Sequence, residues 1–487
     1  MKYRSITPPL QRLIFSSLII FSFWQCTPTA QKESALAEKP NVLFITVDDL
    51  RPELNCYGKS HIQSPNIDKL AQGGILFSRA YCNVPVCGAS RASFLTGTRP
   101  TRNRFLTYDT WAEKDNPEAI PLPQHFRNNG YFTVSNGKVF HNPTDSEDSW
   151  DEIWQPEDVH FRTYLTAENL ALAASIKKGY PYERAAVSDS IYYDGKVATK
   201  AIVDLQKLKG GDKPFFLAVG FFRPHLPFNA PEKYWNLYER RNISLPVTYK
   251  DSANAPAVAF LHNFAEMKQY YGYPPKGPVS DSIAISLIHG YYASVSYVDA
   301  QVGRVLDALE ELGLKENTIV VLLGDHGFNL GEHGTWCKHS NFNTSLQAPL
   351  LFSGPGVPEN KKSNQLVEFV DIFPTLIDLA NLPTLPNQLE GASMLPIMQQ
   401  EDAPWDGRIV SKYVDGLTIK TGHYMYTEWS KSDSNVYARM LFDHARDPDE
   451  RMNIAELPES QELIRRLQQE LYENRGKDFN EEVKRVE

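Results

Sequence analysis

Basic residues are under-represented in this sequence: 50 Lys and Arg stand against 59 Asp and Glu, a formal net charge of −9 over 487 residues. Phosphate binding needs a basic surface, so this balance excludes a nucleic-acid partner. An anionic substrate must then be attracted by a local cluster of cations, not by the global field. Cysteine is scarce too. The five residues Cys26, Cys56, Cys82, Cys87 and Cys337 are too scattered for a disulfide scaffold or a CxxC metal site. If Cys26 carries a lipid and Cys87 is used for chemistry, three remain and at least one is unpaired; a Cys56–Cys82 bridge stays open. There is no internal repeat, low-complexity segment or long charge run. The hydrophobic and charged fractions, 42% and 22%, are ordinary for a globular chain.

Long apolar runs are missing as well, with one exception. Lys2, Arg4 and Arg12 precede a twelve-residue apolar stretch at 13–24. A basic head before a run too short to span a bilayer reads as a secretory signal over residues 1–25. Cys26 follows as in a bacterial lipoprotein cleavage site, although Gln25 stands where small residues are usual. Residues 26–39, rich in Ser, Thr, Pro, Lys and Glu, read as a tether. The expectation is export across the inner membrane of a bacterium to the periplasm or cell envelope. Contact with a membrane would be only through a lipid on Cys26.

What is present is a repeated pattern. Asn41 to Val47 (NVLFITV), Phe215 to Val219 (FFLAV) and Thr318 to Leu323 (TIVVLL) are continuous apolar runs, as expected of buried parallel strands. Each ends in polar residues: Asp48-Asp49, Arg223-Pro224-His225, and Asp325-His326. Phe132-Thr133-Val134 leads likewise into Gly137-Lys138. Ser64-Pro65 opens a helix that stops at Gly73-Gly74, and residues 280–312 contain a long helix with Val295, Val298, Val302, Leu306 and Leu309 at spacings of three and four. The fold class is therefore α/β, a mainly parallel sheet flanked by helices with its site along one edge. After residue 398 short strand-like segments and a closing helix at 459–474 predict a smaller C-terminal α+β antiparallel subdomain. The expected organisation is 1–25 signal, 26–39 tether, 40–398 catalytic domain and 399–487 subdomain.

Asp48, Asp49, Asp325 and His326, carried on strand ends of one sheet, converge on one edge. Three carboxylates and an imidazole suit a hard divalent cation better than zinc. Cys87 precedes a helical segment, Cys87-Gly-Ala-Ser-Arg91, whose N–H groups and Arg91 favour an anion. Lys138 and His141 in Gly137-Lys-Val-Phe-His141, His225 in a Pro-bounded turn, and Lys338 thirteen residues after Asp325 add cations and proton carriers. His333, between Gly331 and Gly334, reads equally well as a loop-shaping hydrogen bond.

The stretch Cys87-Gly-Ala-Ser-Arg91 followed by Leu95-Thr96-Gly97 resembles the signature of type I sulfatases. GKVFH, FFRPHLPF and DHGFNLGEHGTWCKHSNF look like the iduronate-2-sulfatase branch and its bacterial polysaccharide-degrading relatives. That branch has His where many members have Asn at the position of His326. The resemblance covers nearly the whole chain from Asn41, and it implies an alkaline-phosphatase-like fold. It further implies Cys87 oxidised to formylglycine by a maturation enzyme, and one calcium on Asp48, Asp49, Cys87, Asp325 and His326. By the same resemblance Cys87, Arg91, Lys138, His141, His225 and Lys338 are the catalytic set. His225 is then the acid, His141 the base, and Arg91, Lys138 and Lys338 neutralise charge. The implied substrate is a sulfated oligo- or polysaccharide containing uronic acid, of ulvan or iduronate-2-sulfate glycosaminoglycan type. Two alternatives remain: a phosphate or phosphonate ester hydrolase of the same superfamily, and a non-catalytic glycan-binding paralogue.

Overall fold

The computed structural model describes residues 39–262, 266–273, 279–476 and 479. The signal, nearly all of the tether, and Cys26 lie outside them. Eight strands form the central sheet in the order Lys361–Glu368, Gly74–Tyr81, Leu350–Ser353, Thr318–Gly324, Asn41–Val47, Phe215–Phe221, Phe132–Gly137, Glu152–Trp154. Five of the seven pairings are parallel, and both exceptions involve Leu350–Ser353, the strand that runs against the others. Asn41–Val47 lies at the centre with all seven residues buried, which accounts for its unbroken apolar run. The edge strand Lys361–Glu368 has one side open to solvent and reads as polar, so its sequence gives no such signal.

Apolar clusters cover both faces. One gathers Phe44, Phe94, Phe216 and Phe373; the other packs Val295, Val298 and Val302 of the helix Asp281–Glu311 against Ile45 and Leu322. That helix begins where Ser280 accepts a hydrogen bond from the N–H of Ile283 at 3.4 Å, a side-chain cap. A four-stranded antiparallel sheet, Arg408–Tyr413, Gly416–Thr421, Tyr424–Ser430 and Val436–Asp443, follows near the C-terminus. The helix Gln461–Asn474 covers it through Ile464, Leu467 and Leu471. Ile409, Tyr413 and Met425 of this sheet also belong to the cluster around Phe44, so the expected subdomain shares a core with the rest. Cys56 and Cys82 are both free thiols, which corrects the open Cys56–Cys82 bridge. No helix among the described residues is long and apolar enough to cross a membrane.

Candidate active site

Four adjacent parallel strands end at the same edge, and the residues just beyond each strand build the site. Thr318–Gly324 delivers Asp325 and His326, Asn41–Val47 delivers Asp48 and Asp49, Phe215–Phe221 leads to His225, and Phe132–Gly137 leads to Lys138 and His141. Side chains of consecutive residues alternate in an extended chain. Asp49 instead adopts a left-handed φ of 60°, a conformation that Asp tolerates, and this breaks the alternation after Asp48. Gly137 has φ 74° and lies across from Gly220. A Cβ on Gly137 would sit 2.3 Å from the Gly220 carbonyl oxygen, so only glycine lets the chain turn Lys138 into the site there.

Cys87 begins the helix Cys87–Thr96, all ten residues of which are buried. Its Sγ lies 3.2 Å from Nε2 of His326. His326 Nδ1 meets the Gly327 carbonyl at 2.8 Å, which fixes the tautomer with the proton on Nδ1 and turns the Nε2 lone pair inward. Nε2 stands 3.5 Å from Asp49 Oδ1 and 3.6 Å from Asp325 Oδ1. Ligand atoms of Asp48, Cys87, Asp325 and His326 all lie within 4.8 Å of one another, as do those of Asp49, Cys87 and His225.

The cations are placed with equal economy. Arg91 is fully buried and turns away from solvent into the carboxylates. Its Nε donates to Asp325 at 2.9 Å, Nη2 to Asp48 at 3.4 Å, and Nη1 to the carbonyls of Lys138 and, at 2.9 Å, Val139. It therefore acts from behind the acids and is not part of the cleft lining. Lys138 pairs with Asp48. Lys338 pairs with Asp49 at 2.9 Å and with Glu266 at 2.8 Å. His225 Nδ1 meets the Leu226 carbonyl at 2.6 Å, and its Nε2 faces Glu266 at 3.0 Å.

Glu266 has no counterpart among the residues that the sequence pattern singles out. It is 8% exposed and joins the two groups expected to handle the substrate. Burial opposes its charge, but Lys338 and His225 outweigh that and hold the carboxyl well below its ordinary range. Burial likewise opposes ionisation of Asp48, and Lys138, His225 and Arg91 overcome it. The Cys87 thiol goes the other way: burial and then Asp48 push it well up, so the thiol is neutral. Burial and the Lys138 cation lower His141 to about 2, giving a neutral imidazole whose buried Nδ1 has no hydrogen-bond partner.

These groups fit a divalent cation. Four buried carboxylates (Asp48, Asp49, Glu266, Asp325) face three buried Lys and Arg cations (Arg91, Lys138, Lys338), so with the histidines left out of the count one negative charge is in excess. A dication reverses that sign and leaves the site attractive to a monoanionic ester. The carboxylate-rich donor set, with one imidazole in the first cluster, matches a hard cation.

Cys87, Lys138, His141, His225 and Lys338 line one cleft of about 900 Å³. Its outer wall is aromatic and basic, with Tyr108, His160, Phe161, Arg162 and Tyr413. His333 does not reach it. Its ring stacks on Phe342 at 4.4 Å, its backbone N–H donates to the Thr248 carbonyl, and it lines a separate cavity.

The cations and histidines around Cys87 open into an aromatic-walled cleft of about 900 Å³, an arrangement suited to an anionic ester. Comparison with known proteins agrees. The sulfatase family model matches residues 40–382, and the model for the C-terminal region of N-sulphoglucosamine sulphohydrolase matches residues 331–477. The chain belongs to the sulfatase family and is a sulfuric ester hydrolase. It is 35% identical over 416 residues to iduronate 2-sulfatase of Mus musculus, covering 78% of this chain and 75% of that one. It is 33% identical over 441 residues to a sulfatase of Formosa agariphila, covering 87% and 84%. A solved structure in complex with its substrate D-glucosamine-2-N,6-O-disulfate aligns with TM-score 0.73 at 22% identity, over 91% of this chain and 100% of that one. A phosphonate monoester hydrolase of Agrobacterium radiobacter aligns with TM-score 0.73 at 22% identity, over 90% and 95%. At such identity these two establish the shared fold alone.

Proposed function

We propose that this sulfatase removes sulfate from a uronic-acid-containing saccharide of glycosaminoglycan or ulvan type, using formylglycine made from Cys87 and one calcium ion. The observation that carries the reading is the meeting of Cys87 with Lys138, His141, His225 and Lys338 in one cleft. A cysteine nucleophile needs a depressed pKa, and Cys87 has the reverse, so the thiol itself is unsuited to attack. Formylglycine supplies a hydrated aldehyde oxygen as nucleophile in its place. Asp48, Asp49, Asp325, His326 and residue 87 would hold the calcium, which supplies Lewis-acid stabilisation of sulfate charge.

The remaining steps fall to this chain's own side chains. Lys138 and Lys338 bind the sulfate oxygens and neutralise charge that builds on them. Arg91 holds Asp48 and Asp325 in place from behind. His225, oriented by the Leu226 carbonyl, carries a proton on Nε2 and delivers it to the bridging oxygen. His141, whose buried Nδ1 has no hydrogen-bond partner, is the base assigned to regeneration of the enzyme. We further propose that residues 1–25 export the chain to the periplasm or cell envelope and that Cys26 is lipidated; loss of membrane association in Cys26→Ser would support this, and its retention would refute it.

A sugar alkoxide leaves far less readily than a phenolate. His225→Ala is therefore expected to cost about 10²–10⁴-fold on a sulfated sugar and much less on an aryl sulfate. Equal losses would show that His225 only positions sulfate. The reading as a whole is tested by following sulfate release from defined sulfated oligosaccharides, with phosphate and phosphonate esters alongside. Faster turnover of the phosphorus esters would displace it, as would an unmodified thiol at residue 87 in protein from the native host.

A further inference from the structure

The lysines of the inner cleft are already paired. Lys138 is paired with Asp48, and Lys338 with Asp49 and Glu266. Arg162 on the outer wall differs: among the described Lys and Arg side chains lining the cleft, it is the one with no carboxylate at ion-pair distance. It is exposed, yet it is held. Its guanidinium lies over Phe161, 5.2 Å from the ring centroid, and 6.0 Å from that of Tyr270. Its Nη2 donates to Gln269 Oε1 at 2.6 Å. Nε and Nη1 are left for a ligand, and the Gln269 amide nitrogen, on the same wall, is a further donor.

The holding ring also reaches the chemistry. Phe161 stacks on Phe222 at 4.3 Å and stands edge-on to the His225 ring at 5.5 Å between centroids. Legs of 5.2 and 5.5 Å bound the Arg162–His225 separation to about 11 Å, a reach that one sugar ring with its substituents can span. A sulfate ester of a neutral hexose brings one negative charge, which the inner site accommodates. A uronic acid brings a second, planar anion that fits the flat fork of a guanidinium.

We propose that Arg162, with Gln269 beside it, is the subsite for the carboxylate of the sulfated uronic acid and sets the preference for acidic over neutral sugars. This rests on the proposed sulfated-uronate substrate and narrows it to a residue. The guanidinium is fixed before the ligand arrives, so little ordering cost falls on binding.

The test compares a 2-sulfated uronate disaccharide with the same disaccharide whose carboxyl is reduced to the alcohol. Wild-type protein should favour the acid in kcat/KM by about 10- to 100-fold, the range of a charged hydrogen-bonded contact. In Arg162→Gln that ratio should collapse towards one, with most of the change in KM; Arg162→Lys, which keeps the charge but loses the fork, should fall between. Equal losses on both sugars, or an unchanged ratio, would overturn the assignment while leaving the sulfated-uronate substrate in place. Failure of the wild-type protein to release sulfate from either disaccharide would instead remove that substrate and the subsite together.

Discussion

Cys87→Ala is expected to lower sulfate release by about 10⁴-fold or more, the scale seen when a covalent nucleophile is deleted. The substitution is small in volume and the helix Cys87–Thr96 is anchored elsewhere: Arg91 grips Asp325, and Ser90 Oγ donates to the Asp325 carbonyl. Folding should therefore survive, and the melting temperature checks this. The same peptide in active wild-type protein should be lighter by about 18 Da than its cysteine form, the balance for converting CH2–SH to an aldehyde. Full activity in protein with an intact thiol would end this account of the nucleophile. The electrostatics already oppose a thiolate: burial and Asp48 both push Cys87 up, while Lys338 and Lys138 pull weakly the other way.

Asp325→Ala should have the second large effect, on two quantities at once. Asp325 shares a ligand cluster with Asp48, Cys87 and His326, so activity should fall to near background. It also accepts from Arg91 at 2.9 Å and from the Asp49 N–H at 3.0 Å. Both members of the Arg91–Asp325 pair are fully buried, and breaking such a pair costs about 3–5 kcal/mol. Asp325→Asn separates the two consequences. It retains an oxygen acceptor and the shape, so denaturant unfolding should show a smaller loss while activity stays low. Chelation of the wild-type protein should abolish turnover and calcium should restore it. Turnover unaffected by exhaustive chelation would remove the metal from the proposal.

Much of this site was readable as sequence, for a physical reason. A buried parallel strand tends to be apolar, so the first charged residue marks where it leaves the sheet, and Asp48 and Asp325 follow such runs; Lys138 follows a strand that buries Thr133, Ser135 and Asn136, and only Gly137 marks its end. The direction of Leu350–Ser353 was not readable, because an apolar run looks the same whichever way it points. Glu266 was missed for a different reason. It precedes a single 3₁₀ turn, Met267–Gln269, in a stretch without long regular elements, and its importance comes only from His225 and Lys338, which fold against it from far along the chain. Arg162 and Phe161 likewise sit in a turn with no periodicity. The helix position of Arg91 marks it as a cation near Cys87, and only the packing shows that it faces the carboxylates.

The order of strands in the sheet also sets a timetable. Asn41–Val47 is zipped on one side to Phe215–Phe221 and on the other to Thr318–Gly324, and Cys87 meets its neighbour His326 across 239 residues of chain. At ribosomal speeds of about 5–20 residues per second, that interval lasts on the order of ten seconds or more. During it Cys87 lacks Asp325, His326 and Lys338, which complete its surroundings. Once they arrive, every residue from Cys87 to Thr96 is buried. A protein catalyst that must grip this segment therefore has its opportunity on the nascent or unfolded chain, and late assembly of the central strands keeps that opportunity open.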